Sequence, residues 1–318
     1  MKATLAALCV AAALSLTHRA EAQTPSPPCN RDCLKQHLDT YLNAVTSHDP
    51  SAGQLWAGFR QTENAVVVPE GQGVWKSVTA LGPTQRRYFD PVQGQAAYYG
   101  TVMMGEEEAV VALRLRVQWN QATEAEWFIA RKGDPGITGE PGKTPFNLEM
   151  LRSTLPAQRV VPKAERVAQR EVLEAIVNSY FDGITSKNGY IVKGHKGCSR
   201  YENGFPTFNS PMSPAQIAND VGNDGKTDCR TQADFGVAVV TARDYFVIDE
   251  EAQVVVMSAM FRRDSKNPKR RNHLAEVFHI DGGKIRTVHA AFHYAPDDRP
   301  VPNWPPYDGQ FPLPASYH

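Results

Sequence analysis

The chain carries one local pattern twice, and this limits its possible folds more than any other feature. Tyr41-Leu42-Asn43-Ala44-Val45-Thr46-Ser47 is followed by Thr62-Glu63-Asn64, and Tyr180-Phe181-Asp182-Gly183-Ile184-Thr185-Ser186 by Tyr201-Glu202-Asn203. The two tyrosines and the two glutamates are each 139 residues apart, with no gap between them. Two units are too few for a solenoid, whose repeats stack to bury a shared core. The pattern predicts two tandem α+β domains, each with a tyrosine on a helix and a carboxylate on a following strand.

The 318 residues suffice for two full cores. Lys+Arg and Asp+Glu both number 34, so the charge balance gives no reason to expect nucleic acid or an anionic membrane as partner. The basic run Lys266–Arg271 lacks interleaved aromatics and reads as a solvated hairpin tip. Residues 1–22 read as a signal peptide: Lys2, the apolar stretch Leu5–Leu16, and Ala20-Glu21-Ala22 as cleavage site. No other stretch is long and apolar enough to span a bilayer, so the expectation is a soluble protein that is secreted or periplasmic. Cys29, Cys33, Cys198 and Cys229 then remain, an even number in an oxidising compartment. Three pairings are open. Cys29 and Cys33 sit one helical turn apart and the other two fall in the second repeat, which favours Cys29–Cys33 and Cys198–Cys229. C-x3-C without a second ligand pair lacks zinc spacing.

The domains are expected at 23–131 and 166–294, with a linker over 132–165 and a Pro- and aromatic-rich tail over 295–318. A helix starts near Asn30 as cap, with Leu34, Leu38, Tyr41, Leu42 and Val45 at helical spacing. Ala109–Trp119 and Thr123–Ala130 read as paired strands, as do Leu274–Ile280 and Ile285–Tyr294 around the turn Asp281-Gly282-Gly283. Matching Val117 to Ile280 moves the offset to 163, so the second copy holds extra residues, placed in the polar stretch Thr207–Asp234. Gly133–Lys143 is linker-like by composition.

A helix bearing a tyrosine, a Glu-containing strand and long antiparallel strands closed by Gly283-Lys284-Ile285 resembles the NTF2-like (SnoaL-like) superfamily. Within it the chain looks most like an uncharacterised secreted bacterial and fungal set sharing Cys29-x3-Cys33-Leu34, Thr62-Glu63-Asn64 and Gly71-x3-Trp75. The resemblance implies cones made of a curved antiparallel sheet around helices, holding an apolar pocket for a small molecule. It implies sheet-to-sheet pairing of the two copies as an intramolecular pseudo-dimer in a monomer, or a homodimer. It also implies a tyrosine oxyanion donor with a carboxylate about two dozen residues later. Tyr41 with Glu63 and Tyr180 with Glu202 match that layout, although the superfamily's base is an aspartate.

A carboxylate in an apolar cone has a raised pKa and can accept a proton, and a neighbouring phenol can stabilise an enolate or alkoxide. Copy two is the more polar. Glu202 is the candidate base, His289 the proton shuttle, Tyr180 or Arg200 the oxyanion stabiliser, with His195 and Glu276 nearby. Tyr41, Glu63, Asn64, Trp75 and Asn203 are candidates for substrate binding. The expected activity is a cofactor-independent lyase, dehydratase, isomerase or ether- or epoxide-opening enzyme. By analogy its substrate is a small, lignin-derived aromatic compound. The alternative is a small-molecule-binding protein without chemistry. Dinucleotide, P-loop and serine-hydrolase motifs are missing from the sequence. His195, Glu202, Glu276 and His289 lack the spacing of a metal site, so no metal is expected.

Overall fold

The computed structural model describes residues 29–167, 169–208, 228–230, 237–263 and 270–296. The expected signal segment 1–22, most of the polar stretch Thr207–Asp234, most of the basic run Lys266–Arg271 and the tail beyond residue 296 lie outside the described residues.

The first domain runs α1 (Arg31–Thr46), β1 (Leu55–Glu63), β2 (Val66–Val67), a one-turn helix α2 (Val74–Ser77), β3 (Val78–Asp90), β4 (Gln95–Met104), β5 (Glu107–Gln118) and β6 (Gln121–Ala130). A short helix, α3 (Leu148–Thr154), lies between the domains. The second domain repeats the order with α4 (Arg170–Ser186), β7 (Gly194–Glu202), β8 (Phe205–Phe208), β9 (Val237–Asp249), β10 (Val254–Arg263), β11 (Arg270–Asp281) and β12 (Lys284–Pro296). Each forms a six-stranded mixed sheet, in the orders β2-β1-β6-β5-β4-β3 and β8-β7-β12-β11-β10-β9. The parallel pairs β1/β6 and β7/β12 place the Glu-Asn strand beside the last strand in both copies. The two-domain α+β architecture rests on this duplicated topology.

Local chemistry explains the helix ends. Asn30 accepts a hydrogen bond from the Cys33 backbone N–H (2.9 Å), the N-cap geometry expected. The disulfides are Cys29–Cys33 and Cys198–Cys229. The apolar face of α1 (Leu34, Leu38, Tyr41, Leu42, Val45) packs into its own sheet, and α4 does the same with Leu173, Ile176, Val177, Tyr180 and Phe181.

The central strands of each sheet are buried on both faces. In β5, Val111, Leu113, Leu115 and Val117 face the helix, while Val110 and Ala112 face the other sheet. A near-continuous apolar strand is what two-sided burial requires. The seam between sheets gathers Tyr88, Tyr99 and Phe128 from the first copy and Phe246, Val254, Val256 and Val277 from the second, capped by Leu151 of α3 and by Leu155 just after it. The connecting segment therefore packs against the seam rather than hanging free.

Two reciprocal ion pairs fasten the copies. Arg31, at the start of α1, donates to both carboxylate oxygens of Asp249 (2.7 and 3.0 Å). Arg170, at the start of α4, grips Asp90 in the same bidentate way. Each aspartate also accepts a backbone N–H from the opposite copy, Phe89 to Asp249 (3.0 Å) and Ile248 to Asp90 (2.9 Å). Arg31 and Arg170 are again 139 residues apart, so the contact is a pseudo-twofold one within a single chain. Replacing either aspartate by alanine strands an arginine and a buried N–H together. Asp249→Ala and Asp90→Ala should each lower the unfolding free energy by about 3 kcal/mol in chemical denaturation. A loss below about 1 kcal/mol in both would mean that the apolar seam alone holds the domains together.

Candidate functional site

The two cones are built on the same positions but filled differently. In copy one the Tyr41 hydroxyl donates to Gln61 Oε1 (3.0 Å), and Trp75 Nε1–H donates to the same oxygen (2.8 Å). Trp127 Nε1–H donates to the Tyr41 oxygen (3.1 Å). Glu63 Oε1 accepts from Gln61 Nε2 (3.1 Å) and from the Val74 backbone N–H (2.6 Å). Gly73 sits close beside it with a left-handed φ of 60°, where a Cβ would lie 1.9 Å from Glu63 Oε1 and displace the carboxylate. Burial pushes the Glu63 carboxyl up against the effect of its N–H partner, and burial pushes the Tyr41 phenol far up. The tyrosine, glutamine and two indoles interlock, and the rings of Tyr41 and Trp75 meet edge-on with centroids 5.4 Å apart.

In copy two Arg200 stands at the place of Gln61, and the cross-strand pair Leu113/Trp127 becomes Glu276/Ala290. Arg200 Nε and Nη2 both donate to Glu276 Oε1 (3.0 and 2.7 Å), and Nη1 donates to Glu202. The Tyr294 hydroxyl donates to Glu202 Oε2 (3.3 Å), and Arg200 lies over the Phe292 ring (5.6 Å). Glu276 is fully buried, and among the described residues its Oε2 has no hydrogen-bond partner. Burial pushes the Glu276 carboxyl up, with Arg200 opposing. The Tyr180 phenol is pushed far up by burial and senses the charges of Arg200, Glu276 and Glu202. Phe181 and Phe278 pack edge-on against Tyr180.

The structure thus gathers Tyr180, Arg200, Glu202 and Glu276 on the helix side of the second sheet. It separates His289 from them. His289 lies on the opposite face, in the seam, stacked on Tyr201 (4.8 Å) and 3.2 Å from Thr154 Oγ1. His195 sits at the strand's outer end, its Nε2 2.7 Å from the Asp281 carbonyl. Asn64 and Asn203 have left-handed backbones (φ 48° and 49°) and turn out of their strands. Each side chain pairs with one backbone unit: Asn64 donates to Ile129 O (2.9 Å) and accepts from Ile129 N (2.8 Å), and Asn203 does the same with Phe292 (2.9 and 2.7 Å). In each Glu-Asn pair the glutamate therefore faces the cone and the asparagine braces the last strand.

Sequence reasoning did not single out Gln61, Tyr294 or Ala290; the tryptophans Trp75, Trp119 and Trp127 of copy one read there as suited to a structural or binding role. The 163-residue offset that matches Val117 to Ile280 also pairs Trp127 with Ala290, a large residue exchanged for a small one.

A separate open groove of about 610 Å³ is lined by Tyr190, Lys193, Arg230 and Lys284, among others. It does not include Arg200 or Glu276. Cys29, Cys33 and His37 cluster tightly enough to suggest a metal site, but the disulfide removes both thiolates. Among the described residues no helix is long and apolar enough to cross a membrane.

A protein-family model described as "Domain of unknown function (DUF8021)" matches residues 166–292, the second copy. No curated protein matches. Among solved structures, a cystatin-like protein of unknown function from Methylobium petroleophilum is 13% identical, covering 33% of this chain and 80% of its own, with a TM-score of 0.27. An NTF2-like protein of unknown function from Cytophaga hutchinsonii is 7% identical, covering 30% and 89%, TM-score 0.27. A protein from Sphaerobacter thermophilus is 13% identical, covering 30% and 94%, TM-score 0.24. The two-domain α+β fold rests on the strand order and its duplication.

The seam histidines set a pH dependence. His279, 3.1 Å from the Tyr88 hydroxyl, is lowered to about 3 by burial and by Arg86 and Arg159. His289 is lowered well below its ordinary value by burial, with His279 and Arg86 adding. Both are neutral in the folded chain, whereas the unfolded chain protonates each near pH 6.5. Their contribution to stability is therefore complete above about pH 6.5 and declines as pH falls below it, for His279 down to about pH 3. Urea unfolding at pH 7, 5.5 and 4.5 should show this decline, at up to about 1.4 kcal/mol per pH unit for each histidine. His279→Gln should flatten it, and an unchanged slope would mean that protons enter the seam without unfolding it.

Proposed function

We propose that the second cone binds a small, largely apolar molecule and performs acid–base chemistry on it without a cofactor. The observation that carries this reading is Glu276. A fully buried carboxyl oxygen without a partner lies across from Ala290, where copy one places Leu113 and Trp127. A buried polar atom left unpaired is costly and marks a place where something else completes the hydrogen bonding. Glu276 is enclosed, its carboxyl pushed up by burial with Arg200 opposing; Oε1 is held by Arg200, and Oε2 has no hydrogen-bond partner among the described residues. Glu202 is partly accessible, so the two carboxyls occupy different environments, as an acid and a base must. In this reading Glu202 takes a proton from the substrate, Glu276 returns one, and Tyr180 with Arg200 stabilises the developing oxyanion. Lyase, dehydratase, isomerase and ether- or epoxide-opening reactions all fit this scheme, and the ring-lined wall suits an aromatic substrate, a lignin fragment being one. The two disulfides fit export to an oxidising compartment.

Binding without turnover is the second reading. It is favoured by Arg200, whose ion pairs already occupy both carboxylates. A mass-spectrometric turnover screen against lignin dimers, sugars and terpenoid epoxides, with and without chelator, separates the two. We expect a product that persists in chelator. Turnover should fall roughly a hundredfold or more in Glu276→Gln and Glu202→Gln, with the unfolding midpoint kept as a check on folding. Ala290→Trp should crowd the wall beside Arg200 and Glu276 and lower both turnover and ligand retention, with the unfolding midpoint again kept as a check on folding. Full turnover in Ala290→Trp would place the chemistry outside this cone, and a retained but unchanged compound would favour binding alone.

A further inference from the structure

The same hairpin turn occurs in both copies with opposite chemistry. In copy two it joins β11 to β12 through Gly282-Gly283, with φ of 53° and 73°. This is a left-handed two-residue turn, for which glycine is the ordinary choice. In copy one the turn joins β5 to β6 through Trp119-Asn120, with φ of 51° and 58°. A left-handed backbone costs an L-residue with a side chain about 1 kcal/mol or more, and here the residue is an indole that is also 66% exposed. Neither the turn nor a core needs it. Backbone strain without a structural reason points toward function.

A second indole lies beside it. Trp56 in β1 is 39% exposed, and its ring centroid is 5.5 Å from that of Trp119, at an interplanar angle of 47°. Gly58 seats the Trp56 ring: a Cβ there would lie 2.3 Å from it. The position of Trp56 in copy two is His195, which is tied to the Asp281 carbonyl instead. The paired indoles therefore belong to copy one alone, away from the polar cone of copy two.

The surroundings decide what could sit there. Gln54, Ala57, Gly58, Gln118, Asn120 and Gln121, flanking the pair along the chain, carry no formal charge. Asn120 Oδ1 is held by His37 Nε2 (3.0 Å), so its NH2 remains a donor. Gln121 Nε2 donates to the Leu55 carbonyl (3.4 Å), so its Oε1 remains an acceptor. Two exposed indoles with uncharged chain neighbours, and the amides of Asn120 and Gln121 next to Trp119 in sequence, complement a neutral, polyhydroxylated ring. Its C–H face lies on an indole and its hydroxyls meet the amides. An anionic lipid surface calls for flanking cations, which are missing from this stretch. A second copy of the chain needs about 800 Å² on each side, far more than two rings supply.

We propose that Trp56 and Trp119 form a binding platform for a neutral polysaccharide, independent of any chemistry in the second cone. The test is co-sedimentation of the full chain with microcrystalline cellulose, xylan and chitin, with tryptophan fluorescence titrated by the matching oligosaccharides. We expect retention by at least one polymer, weakened roughly tenfold or more in Trp56→Ala and in Trp119→Gly. Trp119→Gly is the controlled variant, because copy two carries glycine at that place. Its unfolding midpoint should equal or exceed that of the parent chain, so lost retention cannot be ascribed to misfolding. The proposal is overturned if none of the three polymers retains the parent chain, or if both variants are retained equally well. It is also overturned if the indoles instead mediate association with neutral phosphatidylcholine vesicles or a concentration-dependent dimer.

Discussion

The reciprocal contact between the first residue of each helix and the far aspartate of the other copy sets the geometry of the whole chain. Arg31 with Asp249 and Arg170 with Asp90 join four elements from two domains. Each aspartate is also capped by backbone N–H groups, one of them from the opposite copy. Both aspartates are fully buried with each carboxylate oxygen hydrogen-bonded, so removing either arginine would leave a buried charge unpaired. Once the contact is made, the outer face of each sheet becomes an inner one. The seam side of the strands then carries buried polar groups such as Arg114, Glu124 and Glu126 among apolar ones, and Tyr88, Tyr99 and His289 become enclosed.

Duplication inside one chain frees the copies to diverge. Each cone keeps the tyrosine, the glutamate and the bracing asparagine, which hold the strands in place. The first is closed by Trp75 and Trp127 around Tyr41, with the hydroxyl and both indole N–H groups paired. The second exchanges Trp127 for Ala290 and Leu113 for Glu276, losing ring volume and gaining a carboxyl. The same divergence runs the other way at the hairpin tip, where the first copy carries an exposed indole and the second carries glycine. Buried polarity in one copy and exposed aromatic surface in the other suggest two tasks on one duplicated frame.

Much of the fold was legible because its signals are local. Asn30 caps a helix because its side chain reaches the N–H three residues on, and such spacing is visible in sequence. The pairing Cys29–Cys33 and Cys198–Cys229 followed from the helical turn and the repeat boundary. The repeat spacing also extends back to Arg31 and Arg170, though nothing in either segment names the aspartates they meet. The Glu-Asn pair was half legible. Alternation set the two residues on opposite faces, but the left-handed turn at the asparagine, which makes it a brace for the last strand, is a backbone property that emerges only with Ile129 or Phe292 in place.

By itself the sequence determined that this chain is two copies of one α+β unit, each a helix with a following glutamate strand and long paired strands, joined by a separate connecting segment. These follow from periodicity, capping and spacing, which act over a few residues. Only the tertiary structure decided which side of each strand faces a cone and which faces the seam. It drew Arg200, Glu202 and Glu276 together while placing His289 behind the sheet. The physical reason is that a side chain's environment in a sandwich of two sheets is set by residues from the opposite copy, and sequence distance carries no record of that contact until the sheets have closed.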